Sequence, residues 1–196
     1  HVDWKESIDF LLNTGEMITI NIFVFILSYS RFRVYYLSLT KTQDILLNFL
    51  DSAFETVGGV PEELLADNMK TVMDNARTQY SSGKVNARFA QFAKDYGFKI
   101  RPCIAGRPQT KAKVEAPMKL LDEIRAYNGK LDYDGLTKFV QRLNNRKNAE
   151  VVQGTGIVPI MFLKKEKAFL KPLPKESIRK PYRIKPKNLK VNRFCM

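Results

Sequence analysis

Residues 18–38 read ITINIFVFILSYSRFRVYYLS. The apolar run from Ile18 to Leu27 is ten residues long and includes Thr19 and Asn21, which makes it too short for a membrane span. Its β-branched and aromatic residues suit a buried strand. The pattern predicts two strands, Thr19–Tyr29 and Arg31–Ser38, separated so briefly that they form an antiparallel hairpin. Upstream, Val2-Asp3-Trp4-Lys5 is a short strand candidate. Downstream, Thr40-Lys41-Thr42-Gln43 offers a helix N-cap. Leu46, Phe49, Leu50, Ala53 and Val57 keep helical spacing until Gly58-Gly59 stops it.

The alternation continues. Glu62 to Ala66 reads as a strand delivering Asp67 at its carboxyl end, followed by a polar loop containing Ser81-Ser82-Gly83. Phe89, Phe92, Ala93 and Tyr96 line a helix face closed by Gly97, and Phe98 to Arg101 is a strand stopped by Pro102. Cys103 to Thr110 contains Gly106 and Pro108 and is expected to be a mobile loop. Val114, Met118, Leu121 and Ile124 mark a helix, and Leu136, Phe139, Val140 and Leu143 another. Pro117 fits the first turn of a regular helix, which places Glu115 at the loop–helix junction; a kinked helix starting near Thr110 is the alternative reading. Strands alternating with helices in this order describe an α/β layer fold with a mixed sheet.

The charge is unevenly placed. The formal net charge is +13, yet residues 1–130 carry 17 Lys/Arg against 15 Asp/Glu, while residues 131–196 carry 16 against 5. Residues 164–196 alone hold 12 basic and two acidic residues. A near-neutral body with a basic tail points to a polyanion grip, with a solvated linker as the other reading. Pro172, Pro174, Pro181 and Pro186 argue against an amphipathic membrane helix there. His1 is the only histidine, so Ser-His-Asp triads, Cys-His pairs and zinc fingers are hard to build. Cys103 and Cys195 have no C-x-x-C spacing and read as reduced thiols of a cytosolic protein. The chain opens without an initiator methionine, inside what reads as a strand, and is expected to be a piece of a longer one.

Three acids stand out by context. Asp3 sits in a strand between apolar Val2 and Trp4, Asp67 ends a strand, and Glu115 precedes a helix. Each alone could be a surface acid or an ion-pair partner. A strand interior, a strand end and a helix start can converge in a layered fold, and convergent carboxylates need divalent cations, Mg²⁺ or Mn²⁺ by donor hardness. Two such ions can serve an in-line displacement at phosphorus.

The segments VDWKE (2–6), LLADNMKTV (64–72) and RPQTKAKVEAP (107–117) resemble the three acidic motifs of IstA-type bacterial insertion-sequence transposases. These belong to the DDE superfamily that includes retroviral integrases. Asp67 lies 64 residues after Asp3, and Glu115 lies 48 after Asp67, spacings that fit the family. The hairpin segment LSYSRFRVYY (27–36) and TGIVPIMFL (155–163) are also similar to family segments, so the likeness spans residues 1 to about 165. Relatives often carry Gln at position 1 and Gly at position 112, where this chain has His1 and Ala112.

The resemblance implies an RNase H-like mixed five-stranded sheet flanked by helices. Its first three strands would be antiparallel and the remaining two parallel to the first. It implies that Asp3, Asp67 and Glu115 are catalytic and bind two Mg²⁺ (or Mn²⁺) ions. The implied work is cleavage at transposon ends and transfer of the freed 3′-hydroxyl into target DNA, by a DNA-bound homo-oligomer, at least a dimer, with an IstB-type ATPase helper. The setting would be cytoplasmic, bacterial and nucleoid-associated, with no membrane involved. Residues 1–150 are expected to form the catalytic core. Residues 151–196 are expected to be a basic, Pro-rich linker towards a further domain, extended over 164–196. DNA contacts are expected from Lys70, Lys111, Lys113, Lys119, Lys164, Lys165, Lys180, Arg183, Lys185 and Lys187. Asn68 is a candidate for positioning a phosphate or a ligand carboxylate. Trp4, Tyr35, Tyr36, Phe89 and Phe92 are assigned to packing. The competing readings are a non-catalytic nucleic-acid-binding module and an RNase H-like nuclease that cuts without joining.

Overall fold

A computed structural model of the chain describes residues 1–103, 122–153 and 155–183, with residues 5 and 6 described by their backbone alone. The predicted hairpin is β2 (Met17–Ile26) and β3 (Arg33–Ser38), in antiparallel register from Asn21↔Ser38 to Ile26↔Arg33. The continuous apolar run of β2 has a two-sided cause. Phe23, Phe25 and Leu27 join one core, while Ile20, Ile22, Val24 and Ile26 join a second on the opposite face.

Strand β1 (Val2–Leu11) is longer than the expected Val2–Lys5 because a bulge hides its continuation. Between the pairs Lys5↔Ile22 and Ile8↔Ile20, two residues of β1 oppose Asn21 alone, and Ser7 takes a φ of 54°. The Ser7 N–H donates to Asn21 Oδ1 at 3.1 Å, so a polar residue inside the apolar run meets the backbone of the bulge. An extra residue reverses which face the later side chains occupy. Val2 and Trp4 therefore enter the first core, whereas Ile8 and Phe10 enter the second.

Helix α1 (Gln43–Val57) begins where Thr42 Oγ1 accepts the Ile45 N–H and ends at Gly58, whose φ of 83° suits a residue without a Cβ. Helix α2 (Ala87–Tyr96) is capped by Asn86 and stopped by Gly97. Both cover the first face, through Leu46, Phe49, Leu50, Phe54, Phe89 and Phe92. Strands β4 (Glu63–Ala66) and β7 (Lys99–Pro102) are parallel to each other, and β4 is parallel to β1. The sheet order is β3-β2-β1-β4-β7. Where a polar loop was expected, β5 (Met73–Asn75) and β6 (Lys84–Val85) form a small antiparallel hairpin. Helix α3 (Tyr133–Ala149) covers the second face through Leu136, Val140 and Leu143, joined by Ile124 from the helical residues 122–125. No helix among the described residues is long and apolar enough to cross a membrane.

The expectation of an extended tail over 164–196 is not met over 164–183. Helix α4 (Pro159–Glu166) buries Leu163 in the first core. The chain then pairs Lys171 with Val60, forms the short helix α5 (Glu176–Arg179), and packs Tyr182 against Phe92 and Tyr96. Asp51, buried on α1, is the anchor. It accepts from the Tyr96 hydroxyl, Arg179 Nε and Arg183 Nε, each at 2.7 Å. Burial would push the Asp51 carboxyl up, but the bonds from Arg179, Arg183 and Tyr96 outweigh it and hold the group below its ordinary value. Burial and the same carboxylate raise the Tyr96 phenol.

Candidate active site

The pairing of β1 with β4 sets the site. Val2 and Ala66 are Cα partners in parallel register, and both are fully buried in the first core. The next residue on each chain is an aspartate. Asp3 and Asp67 thus follow directly on a pair of residues whose strands run about 4.8 Å apart. Both are half-buried. Each carboxylate is held by the amide that follows it: the Trp4 N–H donates to Asp3 Oδ1 at 2.8 Å, and the Asn68 N–H to Asp67 Oδ1 at 3.0 Å.

Asn68 braces the ground beneath Asp67. Its amide nitrogen donates to the Cys103 carbonyl at 2.9 Å and to the Arg77 carbonyl at 3.3 Å, and its Oδ1 accepts the Arg77 N–H at 2.9 Å. Arg77 in turn donates to the Pro102 carbonyl at 3.1 Å. The ends of β4 and β7 and the start of the β5–β6 loop are thereby fixed to one another. Sequence reasoning gave Asn68 a different task and missed Arg77, because backbone carbonyls as partners leave no trace in side-chain patterns.

Beside the aspartates, Trp4, Lys41, Asn68, Met69, Lys70 and Thr71 line an open cleft of about 460 Å³. Lys41 and Lys70 are exposed on it and give a cationic rim to a cleft whose lining also includes Trp4 and Asn68, the residues that follow the two aspartates. Trp4 is buried against Phe23, as a packing residue should be.

Glu115, Lys111, Lys113, Lys119, Lys185 and Lys187 lie outside the described residues, as do the expected loop at 104–110 and the start of the helix bearing Val114. Lys164, Lys165 and Lys180 are exposed on the docked C-terminal segment. Arg183, expected on DNA, turns its guanidinium inward to Asp51, Glu55 and Glu176. Among the described residues no three His, Cys, Asp or Glu side chains converge. The donors at hand, Asp3 and Asp67, offer hard carboxylate oxygens without thiol or imidazole. That set suits Mg²⁺ or Mn²⁺ and not a softer ion.

Residues 2–108 match the Integrase core domain family. The chain is 55% identical over 191 residues to the transposase for insertion sequence element IS232 of Bacillus thuringiensis subsp. berliner, covering 97% of this chain and 44% of that protein. It therefore spans less than half the length of this curated relative. The fold is shared with the catalytic core domain of BIV integrase (TM-score 0.56, 15% identity, 84% of this chain and 95% of that one). It is also shared with a chain of the simian T-cell lymphotropic virus intasome, solved in complex with the PP2A regulatory subunit B56 gamma (TM-score 0.58, 15% identity, 88% and 56%). The mixed sheet, with its antiparallel β1–β3 and parallel β4 and β7, is the RNase H-like arrangement of these cores. With two aspartates side by side on β1 and after β4, and a family match covering more than half its length, the chain belongs to the integrase core domain family, among the insertion-sequence transposases of the DDE superfamily.

Proposed function

We propose that this chain is the catalytic core of a DNA transposase that cuts at transposon ends and joins the freed 3′-hydroxyl to target DNA. The observation that carries the reading is the Val2↔Ala66 pairing, which sets Asp3 beside Asp67. Asp3, Asp67 and Glu115 would hold two Mg²⁺ or Mn²⁺ ions, which when bound activate an attacking oxygen and stabilise the leaving oxygen. Asp3 and Asp67 enter with one oxygen already oriented by a backbone amide, which limits the rotamers each must lose. Lys70 and Lys41 on the cleft rim hold phosphates of the strand under attack. In the first stage a water oxygen bonds to phosphorus as the P–O3′ bond breaks. In the second the 3′-oxygen attacks a target phosphorus and displaces its 3′-oxygen.

Lys164, Lys165 and Lys180 extend the cationic surface across the docked C-terminal segment, and Lys111, Lys113, Lys119, Lys185 and Lys187 are proposed to add to it. The working assembly is a homo-oligomer on DNA, served by an IstB-type ATPase. The test is strand transfer by the full-length protein on pre-cut end DNA, with and without Mn²⁺. Joined product in wild type, absent with Asp67→Asn, supports the reading. Cutting without joining would make the chain a nuclease, and binding with neither would make it a nucleic-acid-binding module.

A further inference from the structure

We propose that Tyr80, at the tip of the β5–β6 hairpin, stacks on a nucleobase left unpaired beside the phosphate being cut or joined. This inference rests on the transposase reading and deepens it. Tyr80 is 90% exposed. An exposed aromatic is ordinary by itself; the difference here lies in how firmly its loop is held and what surrounds it.

The hairpin is fixed at its root on three sides. Val72 and Met73 are buried in the first core. The Gln43 amide, from the first turn of α1, donates at 2.8 Å both to the Thr71 carbonyl and to Asn86 Oδ1, gripping the two ends of the hairpin. Arg77, three residues before Tyr80, is bound to Asn68 and Pro102, so the tip is tied to the residue that follows Asp67. The turn is built as well. Thr78 N–H donates to the Ser81 carbonyl at 2.9 Å, and Tyr80 N–H to Thr78 Oγ1 at 3.2 Å. Gly83 has a φ of 71°, and any Cβ there would lie 2.7 Å from the Asn75 carbonyl oxygen, so the loop closes only around glycine.

The surroundings suit a nucleic acid strand. From Asn75 to Lys94 the sequence carries Arg77, Lys84, Arg88 and Lys94 and no acid. Asp74 and Asp95 flank the stretch; Lys84 lies 3.9 Å from Asp74 and Arg88 is paired with Asp44, both pairs being exposed and open to exchange for a phosphate. Thr78, Ser81 and Ser82 are exposed on the same turn. Cations and hydroxyls meet phosphates, and an aromatic face meets a base of any identity. Bases inside a duplex are already stacked, so the partner is a base at a frayed or opened end.

The test uses the full-length protein with a forked end duplex carrying 2-aminopurine at each unpaired position, and a blunt duplex of the same sequence. Wild type, Tyr80→Phe and Tyr80→Trp should quench the probe. Tyr80→Ala should lose the quench and bind the forked duplex about ten-fold more weakly, with blunt-duplex binding unchanged. A Tyr80→Ala protein that quenches like wild type, or that weakens on both duplexes equally, overturns the inference. Cutting and joining by wild type in that case leaves the transposase reading standing. Quenching that depends on Tyr80 in a protein that never joins DNA overturns that reading alone.

Discussion

Arg179 Nε lies 2.7 Å from Asp51 Oδ1, joining residues 128 apart in sequence, with 6% of Arg179 and 1% of Asp51 exposed. A charge so deeply buried is costly unless paired, and breaking such a pair by removing one partner typically costs about 3–5 kcal/mol. Asp51→Ala should therefore lower the unfolding free energy by roughly that amount, seen as a lower urea midpoint. Asp51→Asn, which keeps an acceptor but loses the charge, should fall in between. A loss within experimental error of zero would mean that the C-terminal segment is not held through this pair.

The same carboxylate gives a pH signature. Its folded value lies below its ordinary value, so in acid the unfolded state binds the extra proton. The stabilisation is complete above the ordinary carboxylate range and is lost as pH falls through the lowered folded value. Acid titration of stability below about pH 4 should be steeper in wild type than in Asp51→Asn. Parallel acid limbs would contradict this account.

Docking of residues 159–183 separates two roles that the sequence merges. If Lys164, Lys165 and Lys180 each engage a duplex phosphate, replacing all three with alanine should make the logarithmic salt slope of DNA binding shallower by about 2.7, at roughly 0.9 per contact. Arg183→Ala should instead lower stability and leave the slope unchanged, because its guanidinium serves Asp51, Glu55 and Glu176. A shallower slope for Arg183→Ala with normal stability would reverse that assignment.

Much of the fold is legible because local physics marks its joints. Thr42 and Gly58 bracket α1, Gly97 ends α2, and the two-sided burial of β2 writes itself as an apolar run. The rest is hidden for definite reasons. The bulge at Ser7 reverses the alternation of β1, so the strand seems to end at Lys5. Strands β5 and β6 are three and two residues long, too short to show a period. The tail's prolines and lysines describe a linker, and nothing near Arg179 announces a partner on α1. Composition and periodicity brought Asp3 and Asp67 forward only as candidates. Their association came from the likeness of their segments to a family, and their adjacency from the Val2↔Ala66 register.

Asn68→Ala should leave the fold standing but loosen the site. It removes the donor to the Cys103 and Arg77 carbonyls and the acceptor of the Arg77 N–H. Groups that orient ligand-bearing residues typically contribute about 10–100-fold to affinity or activity when lost. Cutting should fall by that factor while the circular dichroism spectrum is unchanged. Full activity would show that Asp67 needs no brace.

Asp67→Asn carries the final prediction, because it should act in opposite directions with and without metal. Two carboxylates on paired chains repel when no cation lies between them. The asparagine keeps an oxygen able to accept the Asn68 N–H, so the local hydrogen bond survives while one charge is removed. The metal-free variant should melt at or slightly above the wild-type temperature. Adding Mn²⁺ reverses the order: a ligand at a hundred times its Kd stabilises by about 2.7 kcal/mol, and only wild type has the charge to bind it so tightly. Differential scanning calorimetry across a Mn²⁺ series would read both effects from one pair of proteins. A variant destabilised without metal would overturn the repulsion argument, and one stabilised by Mn²⁺ as much as wild type would place the ions elsewhere and remove Asp67 from the site.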